Sequence, residues 1–205
     1  FGELGVYADH QAADEATCHI PAVVKWPGIE AQVFDGLQYH LDIGATIVDL
    51  AGLKVPRHWD GQSVAGHLRG KTSGGRDHLV LSQGAWSCQR SVRWDDYLYL
   101  RTWHDGFHAH WNEEMMFDIT QDPHEQKDLF SSQPEKVVEG KELLQTWTEE
   151  QLDRSYSSTD PMEVVLEEGG PFHVRGHLSS YLERLEKTGR SRWAEILRER
   201  HGVGK

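Results

Sequence analysis

The spacing of hydrophobic positions changes along the chain, and the change predicts two kinds of architecture. Residues 20–26 are almost wholly apolar and end at Pro27, which is typical of a strand buried on both faces of a parallel sheet. Asp42 is followed by apolar residues at helical spacing and then by Gly52, which predicts an amphipathic helix capped at both ends. A strand followed by a helix at this distance indicates the last part of an α/β domain.

Beyond residue 76 the apolar period becomes two, which predicts strands. The expected strands are His78–Leu81, Cys88–Trp94, Tyr97–Trp103 and Met115–Ile119, with Asp95-Asp96 as a tight turn between the middle pair. The short spacing favours an antiparallel meander, and such a sheet needs a helix to cover one face.

Helical patterns precede and follow this sheet. Pro134 suits a first helical position, and a packing stripe follows it as far as Leu152. The stripe consists of Val137, Val138, Leu144, Trp147 and Leu152. Shorter helices are expected near 63–68, around Leu178–Leu185 and around Trp193–Leu197. The segment Lys71–Arg76 is rich in Gly and Ser and is the best candidate for a linker.

These elements predict an α/β remnant followed by a small α+β domain, which has a four-stranded antiparallel sheet and C-terminal helices. The expected divisions are residues 1–70 for the α/β part, 77–155 for the sheet and its helix, and 156–205 for a helical tail.

Composition narrows the possible partners. A net charge of −12 argues against nucleic acid, which selects basic surfaces, and an anionic substrate would need a locally positive pocket. No apolar run approaches the ~20 residues of a membrane helix, so no membrane span is expected.

Cys18 and Cys88 form no CxxC pair, so a structural zinc site is not expected. The chain begins with Phe1 rather than Met, and we expect the natural N-terminus to lie upstream.

Four segments resemble the type I sulfatases of the alkaline phosphatase superfamily, and they occur in that family's order. The segments are Gly2-Glu-Leu-Gly-Val-Tyr-Ala-Asp-His10 with Asp14-Glu-Ala-Thr17, Ile20-Pro-Ala-Val-Val-Lys-Trp-Pro-Gly28, Leu41-Asp-Ile-Gly-Ala-Thr-Ile-Val-Asp-Leu-Ala-Gly52, and Met116-Phe-Asp-Ile-Thr-Gln-Asp-Pro-His-Glu-Gln-Lys-Asp-Leu129. The resemblance runs from residue 2 to about residue 130 and makes the α/β remnant part of a sulfatase-type core.

The resemblance implies hydrolysis of a sulfate ester on a small molecule or a saccharide. Such enzymes use a formylglycine, made from Cys or Ser in a C/S-x-P-x-R motif, together with calcium. Neither Cys18 nor Cys88 lies in that motif, and the calcium ligands of the family lie upstream of the matching segments. Formylglycine and calcium are therefore expected in the intact enzyme and not in this chain alone. The expected partner is the N-terminal half of the same enzyme, without which the chain should be inactive.

His10 is the residue to which the resemblance assigns a catalytic role. It aligns with a Lys or His that touches the sulfate and the leaving-group oxygen, and histidine can donate a proton near neutral pH. The alternative is a histidine that caps a local turn with Asp9.

Arg101, His104 and His108 are the predicted substrate-binding residues, because the loops of the small sheet domain lean over the active-site mouth in this family. His108 and His110 could together approach a metal, but no third ligand follows at a suitable spacing, and no metal site is assigned. Trp86 and Trp103 are interpreted as packing residues.

Two alternative functions stay open on the sequence. A phosphonate or phosphate monoester hydrolase of the same superfamily shares the sheet and differs mainly in the nucleophile. A non-catalytic binding or assembly module would have kept only the small domain. In each case we expect residues 1–19 to be mobile or to need a partner, because the sheet that would flank residues 20–26 is not encoded here.

Overall fold

A computed structural model describes residues 2–6, 9–71 and 74–203. The chain forms two compact units, one made of Ile20–Leu79 and the other of the remaining described residues before and after it. The three-part division predicted from the sequence stays a prediction.

A four-stranded antiparallel sheet organises the larger unit. The strands are β1 (His78–Gln83), β2 (Cys88–Trp94), β3 (Tyr97–His104) and β4 (Glu114–Asp118), and their order in the sheet is their order in the chain. Trp94 pairs with Tyr97 across the turn, where Asp95 takes a positive φ of 41°. The predicted antiparallel meander with its helices is confirmed, because the alternating pattern of each strand is encoded locally.

One face of the sheet is covered by helix α4 (Pro134–Arg154), as predicted. Val137 and Leu144 of α4 pack against Val92, Tyr99 and Met116 of the sheet. Gly140 permits this close approach, since a Cβ built there would lie 2.6 Å from the Cβ of Tyr99. Val138 does not belong to the packing stripe: it is 53 % exposed, so that part of the prediction is wrong.

The N-terminal segment covers the other face. It contains a 3₁₀ turn at Glu3–Gly5 and the one-turn helix α1 (Glu15–Cys18), and it packs near Leu98, Leu100 and Phe117. Ala12, Ala13 and Asp14 are no more than 1 % exposed. The sheet domain therefore supplies neighbours for these three residues. The expected mobility of residues 1–19 stays a prediction. Phe1, Tyr7 and Ala8 lie outside the described residues.

Three further helices form the tail: α5 (Pro161–Glu167), α6 (Leu178–Lys187) and α7 (Ser191–Arg200). Arg90 of β2 forms two 2.6 Å hydrogen bonds to Asp160, which caps α5 through the Met162 N–H. Leu182 and Leu197 bury their side chains with Phe107. The pattern predicted α6 and α7, whereas α5 was missed because it spans only seven residues.

The smaller unit contains helices α2 (His40–Leu50) and α3 (Ala65–Leu68). Asp42 lies in the first turn of α2 rather than before it. Its carboxylate connects several parts of this unit by hydrogen bonds. It accepts hydrogen bonds from the backbone N–H groups of Tyr39 and Gln62 at 2.8 and 2.7 Å. Arg76 adds two more from its guanidinium at 2.8 and 2.6 Å. Arg76 is thus a structural residue of this unit, not part of a free linker; Thr72 and Ser73 of the predicted linker lie outside the described residues.

The predicted strand over residues 20–26 is wrong. This stretch has no regular secondary structure, and Ile20 and Val23 are 70 % and 97 % exposed. The apolar run indicates a tendency to be buried, but a strand forms only where a neighbouring strand can pair with its backbone.

Among the described helices, none combines the length and the apolar character needed to cross a bilayer.

Candidate functional site

His10 lies at an exposed edge of the larger unit, directly after Asp9, whose φ is +69°. The His10 N–H donates to Asp9 Oδ1 at 2.9 Å, and its ring Nδ1 lies 2.5 Å from the same oxygen. The imidazole is 71 % exposed. Its Nε2 has no partner among the described residues and is available to a substrate. The contact with Asp9 is the one that the turn-capping alternative requires, and it also leaves the ring accessible for chemistry.

The chain that follows His10 is fixed rigidly to the sheet. Ser87 Oγ donates to the Gln11 carbonyl at 2.8 Å, and the Ala13 N–H donates to Gln89 Oε1 at 3.1 Å. Two residues later the Glu15 N–H donates to Glu125 Oε1 at 2.7 Å. An exposed imidazole is thus carried on a backbone that side chains from the sheet and from the loop after β4 hold in place.

His108 lies on the same face of the sheet as this segment. Its Nε2 lies 2.8 Å from Gln11 Oε1, and its ring stacks on Trp111 with centroids 4.0 Å apart. Burial, with a smaller contribution from His110, lowers the pKa of His108 to about 4. His108 is therefore neutral at neutral pH, and its contact with Gln11 links it to the residue that follows His10.

His104 belongs to the packing of the tail. Burial lowers its pKa, and its Nδ1 accepts from the Gly106 N–H at 3.1 Å. Its ring lies 5.0 Å from that of His201, which contacts the buried Asp105 at 3.0 Å. This environment fixes the end of β3 to the C-terminal end of α7, where the Arg200 guanidinium also pairs with Asp105.

Arg101 lies on the opposite face of the sheet from His10. It shares the α4 side with Tyr99 and Trp103, as strand alternation requires. Its guanidinium lies 3.5 Å from Glu113 and 3.7 Å from Glu114 and is thus paired with carboxylates. The four predicted residues consequently fall into three places, and only His10 and His108 are brought together, through Gln11. The catalytic role of His10 and the substrate-binding roles of the other three residues stay predictions.

His110 is exposed, and its Nε2 lies 2.5 Å from the Leu4 carbonyl. A cavity of about 670 Å³ adjoins it, lined in part by Leu4, Trp111 and Glu125. Within the described parts of the chain, no three His, Cys, Asp or Glu side chains are grouped so as to hold a metal ion.

Glu125 is a residue of this region that the sequence did not single out. It is 3 % exposed, at a φ of +50°, within the Asp122-Pro-His-Glu125 turn. Its Oε2 has no partner among the described residues. Burial, followed by repulsion from Asp14, raises the pKa of Glu125 to about 8. The signal in the sequence is an acidic residue in a Pro-containing turn, which does not by itself indicate burial.

Glu125 should make the attachment of the N-terminal segment sensitive to pH. The folded carboxyl binds its proton more tightly than an unfolded one, whose pKa is near 4.5. Its stabilising contribution is therefore complete below that value and is lost as the pH rises through about 8. We expect Glu125→Gln, which cannot ionise, to melt at a higher temperature than the wild type at about pH 8.5 and at a similar temperature at about pH 5.

The control for this prediction is the same substitution at the exposed Glu150 of α4, which should leave the pH dependence of melting unchanged. Parallel melting curves for the wild type and Glu125→Gln across this pH range would contradict the prediction.

A protein-family model described as "N-sulphoglucosamine sulphohydrolase, C-terminal" matches residues 2–152 of this chain. The match includes the segment of His10, the whole sheet and most of α4, and it ends before α5.

Individual relatives agree with the family match. The chain is 27 % identical over 89 residues to the extracellular sulfatase SULF-1 homolog of Drosophila melanogaster, a match that covers 40 % of this chain and 8 % of that protein. Among solved structures, a 2-O GAG sulfatase is 29 % identical with a TM-score of 0.54, covering 62 % of this chain and 29 % of the other. A sulfatase structure from Bacteroides thetaiotaomicron is 29 % identical with a TM-score of 0.53, covering 66 % and 31 %.

The chain thus spans less than a third of the length of each of these relatives. Its antiparallel sheet and helices resemble the C-terminal part of sulfatases. The family model covers most of the chain, and the chain belongs to the sulfatase family, in its N-sulphoglucosamine sulphohydrolase C-terminal group.

Proposed function

We propose that this chain acts as the C-terminal part of an enzyme that hydrolyses sulfate esters on a saccharide, with His10 in the active site. The observation that carries the proposal is the placement of His10: its imidazole is open to solvent while its backbone is fixed to the sheet. The sulfatase family and the resemblance to a 2-O GAG sulfatase support the substrate class.

In this proposal His10 protonates the leaving-group oxygen. Asp9 contacts Nδ1 at 2.5 Å, which orients the ring. Nε2 is then the atom that donates to the departing oxygen. The neutral His108 and the adjacent Gln11 can hydrogen-bond to the substrate as uncharged groups. His10 then remains the group that faces the negative charge of the substrate.

The residues of this chain do not fit the formylglycine nucleophile or the calcium site that the family resemblance implies. Burial, with repulsion from Asp14, raises the pKa of the Cys18 thiol to about 12, and burial raises that of Cys88 to about 11. Both thiols are protonated at neutral pH; Cys88 is buried and Cys18 is partly buried. In this proposal the formylglycine and the calcium ligands come from the N-terminal half of the same enzyme, and no step here is assigned to them.

We expect the isolated chain neither to hydrolyse an aryl sulfate nor to bind calcium in a saturable manner. Its carboxylates will attract calcium loosely, so calorimetry must look for a stoichiometric transition rather than for heat alone. Saturable binding at low micromolar affinity would show that the metal site has been misplaced.

The positive test is the intact enzyme. A version that carries the N-terminal half should release sulfate from a sulfated saccharide, and it should lose this activity when calcium is chelated. Release of phosphate from a phosphonate or phosphate monoester, with no release of sulfate, would instead identify a monoester hydrolase. Absence of any hydrolysis, with saccharide binding retained, would identify a binding module.

A further inference from the structure

Gln83, the last residue of β1, has a buried side-chain amide whose NH₂ group and carbonyl oxygen both form hydrogen bonds. It is 8 % exposed. Its Nε2 donates to the His10 carbonyl at 2.5 Å. Its Oε1 accepts from the backbone N–H groups of Ala85 and Trp86 at 2.8 and 3.3 Å. One side chain therefore joins the backbone of His10 to the turn between β1 and β2.

That turn is fixed by further contacts from other parts of the unit. Ser87 Oγ binds the Gln11 carbonyl at 2.8 Å, next to His10. Gly106 approaches so closely that a Cβ there would lie 2.4 Å from the Trp86 carbonyl oxygen. The turn is thus a rigid support, with little freedom to follow a movement of His10.

The C-terminal tail holds the same turn from the outside. The His173 N–H donates to the Ala85 carbonyl at 3.0 Å. The His173 ring stacks on Trp86 with centroids 4.3 Å apart and planes at 19°. His173 lies beyond the family match at residues 2–152, so this part of the support comes from the tail outside that match.

We propose that Gln83 is a positioning residue for His10, and that the tail reinforces this role by clamping the turn to which Gln83 binds. The inference rests on the proposed catalytic role of His10. Among the described residues, Asp9 alone contacts the imidazole, so the position of Nε2 depends on where the His10 backbone is held. Displacement of a catalytic group by about 1 Å can cost ~10²-fold in rate.

The test is Gln83→Glu in the intact enzyme. The carboxylate still accepts from Ala85 and Trp86, but it can no longer donate and instead repels the His10 carbonyl. We expect turnover of a sulfate ester with a poor leaving group to fall about 10- to 100-fold, with little change in KM. An activated aryl sulfate, which needs little protonation, should lose far less.

Gln89→Glu is the matched control. Gln89 is also buried and holds the same segment, but it binds the Ala13 N–H at 3.1 Å and Thr102 Oγ1 at 3.0 Å rather than His10. We expect it to change the melting temperature without changing the ratio of the two substrate rates. If either Glu variant fails to fold, Met at the same position keeps the shape of the side chain and removes its hydrogen bonds without adding charge.

A double-mutant cycle separates positioning from general destabilisation. In a His10→Ala background, Gln83→Glu should cause no further loss with the poor leaving group, because the two residues act through one imidazole. Independent, multiplicative losses, or equal losses with both substrates, would overturn the role of Gln83. If His10→Ala alone has no effect, the proposed function and the positioning role both fail. If His10→Ala reduces the rate and Gln83→Glu does not, only the positioning role fails.

Discussion

Replacing His10 with Ala in the intact enzyme should reduce turnover of a sulfate ester with a poor leaving group by ~10²–10⁴-fold, the usual contribution of general acid catalysis. The loss should fall on kcat rather than on KM, because proton donation is made mainly in the transition state. An activated aryl sulfate should be affected far less. Steady-state kinetics with the two substrates, on wild type and variant, measure this contrast.

The comparison also separates proton donation from two other roles. Equal, modest losses with both substrates would make His10 an anion contact. A lower melting temperature without a change in the rate ratio would make it a structural residue of the Asp9 turn. The control is His19→Ala, since His19 is also exposed and pairs with a carboxylate, Glu15, at 3.0 Å.

The second large effect concerns stability. Asp42→Ala should destabilise the smaller unit by about 3–5 kcal/mol, the usual cost of removing one partner of a buried ion pair. Asp42 is 1 % exposed, and its loss would remove the carboxylate that accepts from Arg76 and from the Tyr39 and Gln62 N–H groups. Arg76 would keep its hydrogen bond to the Asp60 carbonyl. Amide exchange across Ile20–Leu79 would report this local loss, while protection of the sheet should persist.

Asp49→Ala is the control for Asp42, because Asp49 is on the same helix and also pairs with an arginine, Arg69, at 3.5 Å. That pair is partly exposed, and its loss should cost about 1 kcal/mol or less. Equal losses of stability in the two variants would show that the buried Asp42 carboxylate contributes no more to this unit than the partly exposed Asp49.

The sequence predicts the sheet well because each strand carries its own evidence. In Tyr97–His104, Leu98 and Leu100 face one side and Tyr99 the other, so the alternation can be read without knowing the neighbouring strands. The run 20–26 shows the limit of such patterns. Its composition predicts burial, but the structure leaves Val23 97 % exposed, because a strand also needs a backbone partner.

The candidate site was less predictable for a related reason. His10 was identified by family resemblance, but the residues that support it depend on distant contacts. Gln83 and His10 are 73 positions apart, and Glu15 and Glu125 are 110 apart. A single sequence contains no pattern that links such positions. The prediction of Arg101 as a substrate-binding residue did not take strand alternation into account, which places Arg101 on the face away from His10.

The order of the strands has a consequence for how the molecule assembles. Because each strand pairs with the next one in the chain, formation of the sheet closes only short loops and costs little conformational entropy. The segment of His10 must instead find partners 73 to 110 residues further on. During synthesis this segment therefore emerges before the sheet but docks only after β4 and the turn of Glu125 have left the ribosome. The catalytic histidine proposed here would therefore reach its final position only after the sheet has formed.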